Sequence, residues 1–286
     1  MGSAHLKQEL VPREGEQHTR RLRPGLFVLL LAVGLAGAAC GTAPSPVRAI
    51  RPLLIYYGWV PSGRAAFRRM AAAMAAYPVV VLGSGEEWTG VQSNHLEVGR
   101  MIATDRRTAF YGYVNLGVAG GQPDHPLAYV ERALRAWRAM GVRGVLLNCA
   151  GRDYGVSRLR LGAAMRAAHA LSLRVLVNAW DPADVVHAGL RPGDAWLAEN
   201  LVVADGRPQP HGAADWAALH MLRAGKIEIW MTATDASPPD RAWIQTWMPR
   251  TAARVGGSLI GASGPEYSTR SNAIVPASWI KAALGS

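Results

Sequence analysis

From residue 52 onward, short apolar runs alternate with stretches in which apolar positions recur every three or four residues. The first kind predicts buried strands and the second amphipathic helices. Strand-type runs fall at 53–59 (LLIYYGW), 78–82 (PVVVL), 109–116 (AFYGYVNL), 142–148 (VRGVLLN), 174–178 (RVLVN), 194–199 (DAWLAE), 227–233 (IEIWMTA) and 258–262 (SLIGA). Helical patterns fall at 63–77, 94–105, 127–140, 156–171, 213–224, 239–255 and 276–284. Gly141 follows the third of these as a C-cap. Asp181-Pro182 opens a brief helical turn, and Pro249 is expected to end or kink the helix that contains it.

Strands that alternate with helices imply a parallel sheet. Eight such units in about 235 residues fit a closed (β/α)8 barrel, the TIM barrel. The rival is an open doubly wound sheet, and the count of eight favours the barrel. The stretch 57–63 (YGWVPSG) after the first strand is not the GxGxxG phosphate fingerprint. One domain over 52–286 is therefore expected.

The chain before residue 52 is different. Arg20, Arg21 and Arg23 precede an apolar run, 26–39 (LFVLLLAVGLAGAA), that ends at Cys40-Gly41. A basic region followed by a short apolar one reads as a signal peptide, and the run falls short of the about 20 residues a membrane span needs. Its small-small-Cys ending resembles a bacterial lipobox, with Gly37 where that pattern usually has Leu. The expectation is a leader over 1–39, lipidation of Cys40, a linker over 40–51 and attachment to the cell-envelope membrane through the lipid. Plain secretion and an uncleaved anchor are the alternatives.

Composition narrows the function classes. Half of the 286 residues are apolar and 18% are charged, which is ordinary globular usage. Two cysteines make no disulfide scaffold, and without the leader Cys149 is left with no partner for an intrachain bridge. The net charge is +11, of which residues 1–39 supply +2. Arg64, Arg68, Arg69, Arg132, Arg135 and Arg138 are scattered singly along helices, as on a solvated face. No zinc-finger, RNP or helix-turn-helix pattern accompanies them, so no nucleic-acid partner is expected. His95, His125, His169, His187, His211 and His220 show no HxH or HExxH spacing, and neither a metal nor another cofactor is expected. Ser62, Ser84 and Ser263 lack a GxSxG elbow. A monomer is expected.

In a barrel the active site is built at the C-terminal ends of the strands. Those ends carry Tyr57 and Trp59; Glu86, Glu87 and Trp88; Tyr113 and Asn115; Asn148, Cys149 and Asp153; Asn178, Trp180 and Asp181; Glu199 and Asn200; Thr232, Thr234 and Asp235; Glu266 and Tyr267. Aromatic faces stack on pyranose rings, and amides and carboxylates bond sugar hydroxyls. Two facing carboxyls are what glycosidic cleavage needs. Glu199, which ends an apolar strand, is the first candidate, with Asp153 or Asp181 as its partner. Tyr57, Trp59, Tyr113, Asn115, Asn148, Asn178 and Trp180 are the candidate sugar contacts. Plainer readings stand beside these. Asp181 suits a helix cap, Asp153 a loop salt bridge with Arg152, Glu86 and Glu87 a solvated loop, and Cys149 a buried inert thiol. The two tryptophans also suit a place in the core at the barrel rim.

Several of these segments resemble the endo-α-1,4-polygalactosaminidase and spherulin-4-like barrels. The stretch 110–117 (FYGYVNLG) resembles their "Tyr-(Val/Leu)-Asn" strand. Trp137 followed by 141–147 (GVRGVLL) is similar to their "W…GVDGVFLD" block. The run 174–178 resembles their "vvvNPG" strand, and 195–199 their strand ending in Glu. The resemblance covers roughly 50–265. It implies a secreted or surface-attached retaining glycoside hydrolase acting on an amino-sugar polymer, with its acidic pair at the ends of strands four and six. Here strand six keeps Glu199, but strand four ends in Asn148-Cys149 where those families have Asp. Either Asp153 or Asp181 supplies the second carboxyl, or the barrel binds glycans without cleaving them. A barrel serving only as an envelope scaffold is the third reading.

Overall fold

The computed structural model of the chain describes residues 50–90, 93–117, 125–199, 203–204, 207–208, 213–233, 241–263 and 274–283. Its strands are β1 (Arg51–Tyr56), β2 (Val79–Leu82), β3 (Ala109–Asn115), β4 (Gly144–Asn148), β5 (Arg174–Val177), β6 (Ala195–Ala198), β7 (Val203–Ala204), β8 (Arg207–Pro208), β9 (Glu228–Ala233) and β10 (Gly257–Ala262). Eight of them close into one barrel in the ring order β1-β10-β9-β6-β5-β4-β3-β2. Every pair in the ring is parallel. The helices are α1 (Arg64–Met74), α2 (His95–Thr104), α3 (Leu127–Met140), α4 (Arg158–Ala170), α5 (Ala213–Ala224), α6 (Arg241–Val255) and α7 (Ala277–Ala283). The fold is a (β/α)8 TIM barrel.

The sequence pattern explains why the sheet closes. The barrel strands are apolar on both faces, as strands covered on both sides must be. Alternate residues sort into two separate clusters. Leu53, Ile55, Val79, Val81, Leu146, Leu176, Leu197, Trp230 and Leu259 fill the barrel interior. Their neighbours Leu54, Val80, Val145, Leu147, Val175, Val177 and Ile260 face outward and pack with helix residues. The α3 helix shows the second layer in detail. Val130, Ala133, Leu134 and Trp137 are its buried face, at the spacing of one helical stripe. Each large side chain so buried contributes roughly 1.5–3 kcal/mol. Trp137 lies against Gly112, where a Cβ would come within 2.2 Å of the indole, and its Nε1 donates to the Tyr113 carbonyl at 3.0 Å. Arg48–Ser286 is a compact unit, and both clusters lie inside it. It therefore has the complete core of a domain able to fold alone.

Two features depart from the sequence expectation. The hairpin β7–β8 pairs Val203 with Pro208 and Ala204 with Arg207 antiparallel, outside the barrel sheet. Each arm has two residues, too few to show a period. Pro249 does not end its helix, because α6 runs through it to Val255. Met248, Ala252 and Val255 are all buried, so packing holds both halves of α6 in place despite the lost N–H donor. No helix among the described residues is long and apolar enough to cross a membrane. The leader over 1–39, Cys40 and the linker up to residue 49 lie outside the described residues.

Candidate active site at the C-terminal mouth

Strand parity fixes the site. The residue two beyond an inward core residue also faces inward. Past Ile55 comes Tyr57, past Tyr111 come Tyr113 and Asn115, and past Leu146, Leu176, Leu197 and Trp230 come Asn148, Asn178, Glu199 and Thr232. An apolar barrel thus ends in one polar layer at its C-terminal mouth.

Tyr113, Asn115, Asn148, Asn178 and Glu199 of this layer form a continuous hydrogen-bonded chain. Asn178 Nδ2 donates to Glu199 Oε2 at 2.6 Å and to Asn148 Oδ1 at 2.9 Å. Asn148 Nδ2 in turn donates to the Tyr113 hydroxyl at 2.5 Å, with Asn115 Oδ1 at 3.4 Å and Cys149 Sγ at 3.0 Å. Two bonds to a single nitrogen keep Asn148 Oδ1 and Glu199 Oε2 within about 5.5 Å of each other. Carboxyls of a retaining glycosidase stand about 5–5.5 Å apart. The value for Asn148 and Glu199 is an upper limit, and position 148 carries an amide, which neither ionises nor donates a proton to a leaving group.

Cys149 lies against this layer in a left-handed backbone conformation, φ 49°. Burial, with Glu199 and then Asp153 adding to it, pushes its thiol up to about 12. That shift disfavours the thiolate, as expected of a buried cysteine. Burial raises the Tyr113 hydroxyl as well, with Cys149 and Glu199 adding to the effect, so it stays protonated.

Asp153 lies in a 3-10 turn, Arg152–Tyr154, beyond β4. A Cβ on the buried Gly151 would come within 2.2 Å of Asp153 Oδ1, so the carboxyl folds back over that glycine. Partial desolvation raises its pKa, backbone N–H groups oppose the rise, and Asp184 and Asp181 add to it. Arg152 does not neutralise Asp153: its Nε meets Asp184 Oδ1 at 2.5 Å and its Nη2 lies 3.9 Å from Asp181 Oδ2. Asp153 and Glu199 both add to the raised pKa of the Cys149 thiol and of Tyr154. Asp181 takes the structural part: it caps the turn Pro182–Asp184, accepting from Ala183 N at 2.8 Å.

The aromatic candidates divide. Tyr57 and Tyr113 meet edge to face with ring centroids 5.6 Å apart inside the mouth. Trp59 and Trp180 are 59% and 60% exposed, so neither is a core residue. They follow β1 and β5, which stand four places apart in the ring of eight and so on opposite rims. Asn200, Thr234, Asp235, Glu266 and Tyr267 lie outside the described residues.

Glu87 corrects the sequence reading. It is 5% exposed, not a solvated loop charge, and its Oε2 has no hydrogen-bond partner among the described residues. Burial pushes the carboxyl up to about 7 against the backbone N–H groups of Glu87 and Gly85, and Glu86 adds to the rise. Its place in a Gly-rich polar stretch (GSGEEW) disguised it. The sequence signal at hand was Trp88, an apolar anchor beside it that packs on the core. Among the described residues no group of three or more His, Cys, Asp or Glu could hold a metal ion.

No family model and no curated protein matches the chain. Solved structures do. A GH10 endoxylanase from a sugarcane soil metagenome superposes at TM-score 0.53 with 8% identity, covering 83% of this chain and 97% of that one. The multifunctional pyruvate carboxylase of Rhizobium etli superposes at 0.51 with 12% identity, covering 84% of this chain and 27% of that one. A type I 3-dehydroquinate dehydratase from Clostridium difficile reaches 0.49 with 10% identity, over 83% and 92%. At these identities the first two superpositions show the TIM-barrel fold and nothing of the chemistry.

Proposed function

We propose that the C-terminal mouth is a polysaccharide site of glycoside-hydrolase type that binds amino-sugar-containing polymers without cleaving them. The observation that carries this reading is the shared donor: Asn178 bonds both Glu199 and Asn148, so an amide stands where the second carboxyl belongs. The remaining layer suits a neutral polyol. It offers amides and a phenol already held in place by one another, so little is spent on ordering them when sugar hydroxyls arrive. The exposed Trp59 and Trp180 give two aromatic faces on opposite rims for sugar rings. The similarity of the strand motifs to spherulin-4-like barrels supports the same substrate class, and the endoxylanase neighbour shares only the barrel fold. The barrel is held at the bacterial cell envelope by lipid on Cys40, acts as a monomer and needs no cofactor. Intact-mass measurement of membrane-fraction protein checks the lipid, and an unmodified Cys40 rejects it.

One observation favours an active hydrolase instead: the Asp153 carboxyl follows β4 and folds over Gly151, which lies against Ala179, the residue after Asn178. Incubating purified protein with a galactosamine-containing polymer separates the two. Retention of the polymer with no oligosaccharide released supports the binding reading. Release of oligosaccharide that Glu199→Gln abolishes overturns it in favour of the hydrolase. Absence of both leaves the scaffold reading.

A further inference from the structure

The opposite, N-terminal end of the barrel holds a concavity of about 880 Å³, within the size range of small-ligand sites. Six arginines line it: Arg51, Arg106, Arg107, Arg138, Arg143 and Arg174. They come from β1, the loop between α2 and β3, α3, the turn before β4, and β5. All six are exposed. Among the described residues none forms an ion pair with an acidic side chain.

Two acidic residues also line the concavity; both accept hydrogen bonds, and the Arg107 charge acts on Asp105 as well. Asp105 accepts from Thr108 Oγ1 at 2.7 Å and from the Arg107 backbone N–H at 2.9 Å, which closes its own loop. Glu228 Oε2 accepts from Trp230 Nε1 and from Ser258 Oγ, each at 2.9 Å. The lining therefore keeps a formal surplus of four positive charges. Its floor is closed. Tyr111 and Trp230 are buried and pack edge to face at 5.1 Å across the barrel interior. The concavity is therefore distinct from the C-terminal mouth.

We propose that this arginine-lined bowl is a binding site for phosphate-bearing molecules. A guanidinium fork matches the oxygens of a phosphate, and a doubly charged group with several oxygens can take donors from more than one arginine. A carboxylate offers two oxygens and a single charge, which one arginine satisfies. Free phosphate compounds and the headgroups of an anionic lipid surface share this chemistry.

The test uses residues 48–286, the compact unit, so that the apolar leader adds no membrane affinity of its own. Inorganic pyrophosphate is titrated by calorimetry in 50 mM salt, and vesicles of phosphatidylglycerol or of phosphatidylcholine alone are tested by co-sedimentation. We expect saturable binding of pyrophosphate, of the phosphatidylglycerol vesicles, or of both. Arg107→Glu/Arg143→Glu should weaken it at least tenfold, whereas Arg68→Glu/Arg69→Glu, an equal change of charge on α1, should leave it within twofold. Pyrophosphate binding identifies a free phosphate compound as sufficient, and binding to vesicles alone identifies headgroups at a surface. The proposal is overturned if neither probe binds, if both double variants weaken binding equally, or if polygalacturonate, a carboxylate polymer, binds as tightly as the better phosphate probe.

Discussion

The two ends of this barrel are built from opposite kinds of polarity. At the C-terminal mouth the polar side chains satisfy one another. Asn178 holds Glu199 and Asn148, and Asn148 holds Tyr113. At the N-terminal end six exposed arginines face a shared concavity with no ion-pair partner among the described residues. A fixed network of amides reads the positions of hydroxyls. A ring of long cationic side chains reads charge and depends on salt, because exposed charges are screened within about 10 Å at 0.1 M. The same closed sheet supports both, because strand direction gives each barrel two chemically independent ends.

On the reading proposed for the mouth, the largest expected effect comes from placing a second carboxyl there. Asn148→Asp places a second carboxyl within about 5.5 Å of Glu199, the separation of a retaining pair. Release of reducing ends from an amino-sugar polymer should rise at least about 100-fold above the unsubstituted chain, the usual scale of one acid–base group. The pair should also titrate jointly, one pKa pushed up by its neighbour's charge, and give a bell-shaped pH profile. If Asn148→Asp binds polymer and stays inert across that pH range, the mouth is a binding site and nothing more.

Glu87 gives the next effect, on stability. Its carboxyl is raised from 4.5 to about 7 in the folded chain. Below pH 4.5 the group is protonated in folded and unfolded chains alike and costs nothing. As pH rises from there to 7 the unfolded chain ionises first, so stability falls, and above 7 the loss is complete at about 3 kcal/mol. Glu87→Gln should recover that amount in urea unfolding at pH 8 and almost none at pH 4. An equal gain at both pH values would show that ionisation of this carboxyl is not the cause.

How far the sequence reveals this molecule follows from what each feature depends on. The eight strands and their helices are local patterns, and 127–140 and 213–224 match α3 and α5 at both ends. The residues of the mouth were also legible, since each sits at a strand end and parity turns it inward. What no periodicity shows is register. That Asn178 reaches both Asn148 and Glu199 depends on how β4, β5 and β6 align. The arginine bowl is invisible for the same reason. Arg51, Arg107, Arg138, Arg143 and Arg174 come from different strands, helices and turns, and only the closed barrel gathers them at one end. Glu87 was misread because a Gly-rich polar stretch looks solvated when the packing of its loop is unknown.

A smaller effect separates the two ends as binding surfaces. Trp180→Ala and Trp59→Ala should each weaken retention of the polysaccharide roughly tenfold, about 1.4 kcal/mol, if each indole stacks on a sugar ring. Raising salt from 50 to 500 mM should leave that retention nearly unchanged, since neutral hydroxyls and ring faces carry no screened charge, yet it should weaken anion binding at the arginine bowl. Affinity electrophoresis in gels containing the polymer measures the first, and titration in both salts the second. Equal salt dependence at the two ends would mean that the mouth also binds by charge.

The smallest effect is the most discriminating for the acid pair. Asp153 is the preferred partner by sequence and Asp181 the second, and Asp181 caps the turn Pro182–Asp184, with Oδ1 accepting from Ala183 N and Oδ2 3.9 Å from Arg152 Nη2. Loss of a cap costs about 1 kcal/mol, and an exposed ion pair adds less than that. Asp181→Ala should therefore lower stability by about 1 kcal/mol in urea unfolding while leaving polymer retention and any cleavage by Asn148→Asp unchanged. Asp153→Ala removes no cap, because its carboxyl folds over Gly151, so it should change stability less. Where its negative charge holds the Cys149 thiol up, its loss should make that thiol ionise at lower pH, and a thiol-reactive reagent across a pH series reads that shift. A Cys149 profile that moves with Asp181→Ala and not with Asp153→Ala would reverse the assignment and make Asp181 the carboxyl beside Glu199.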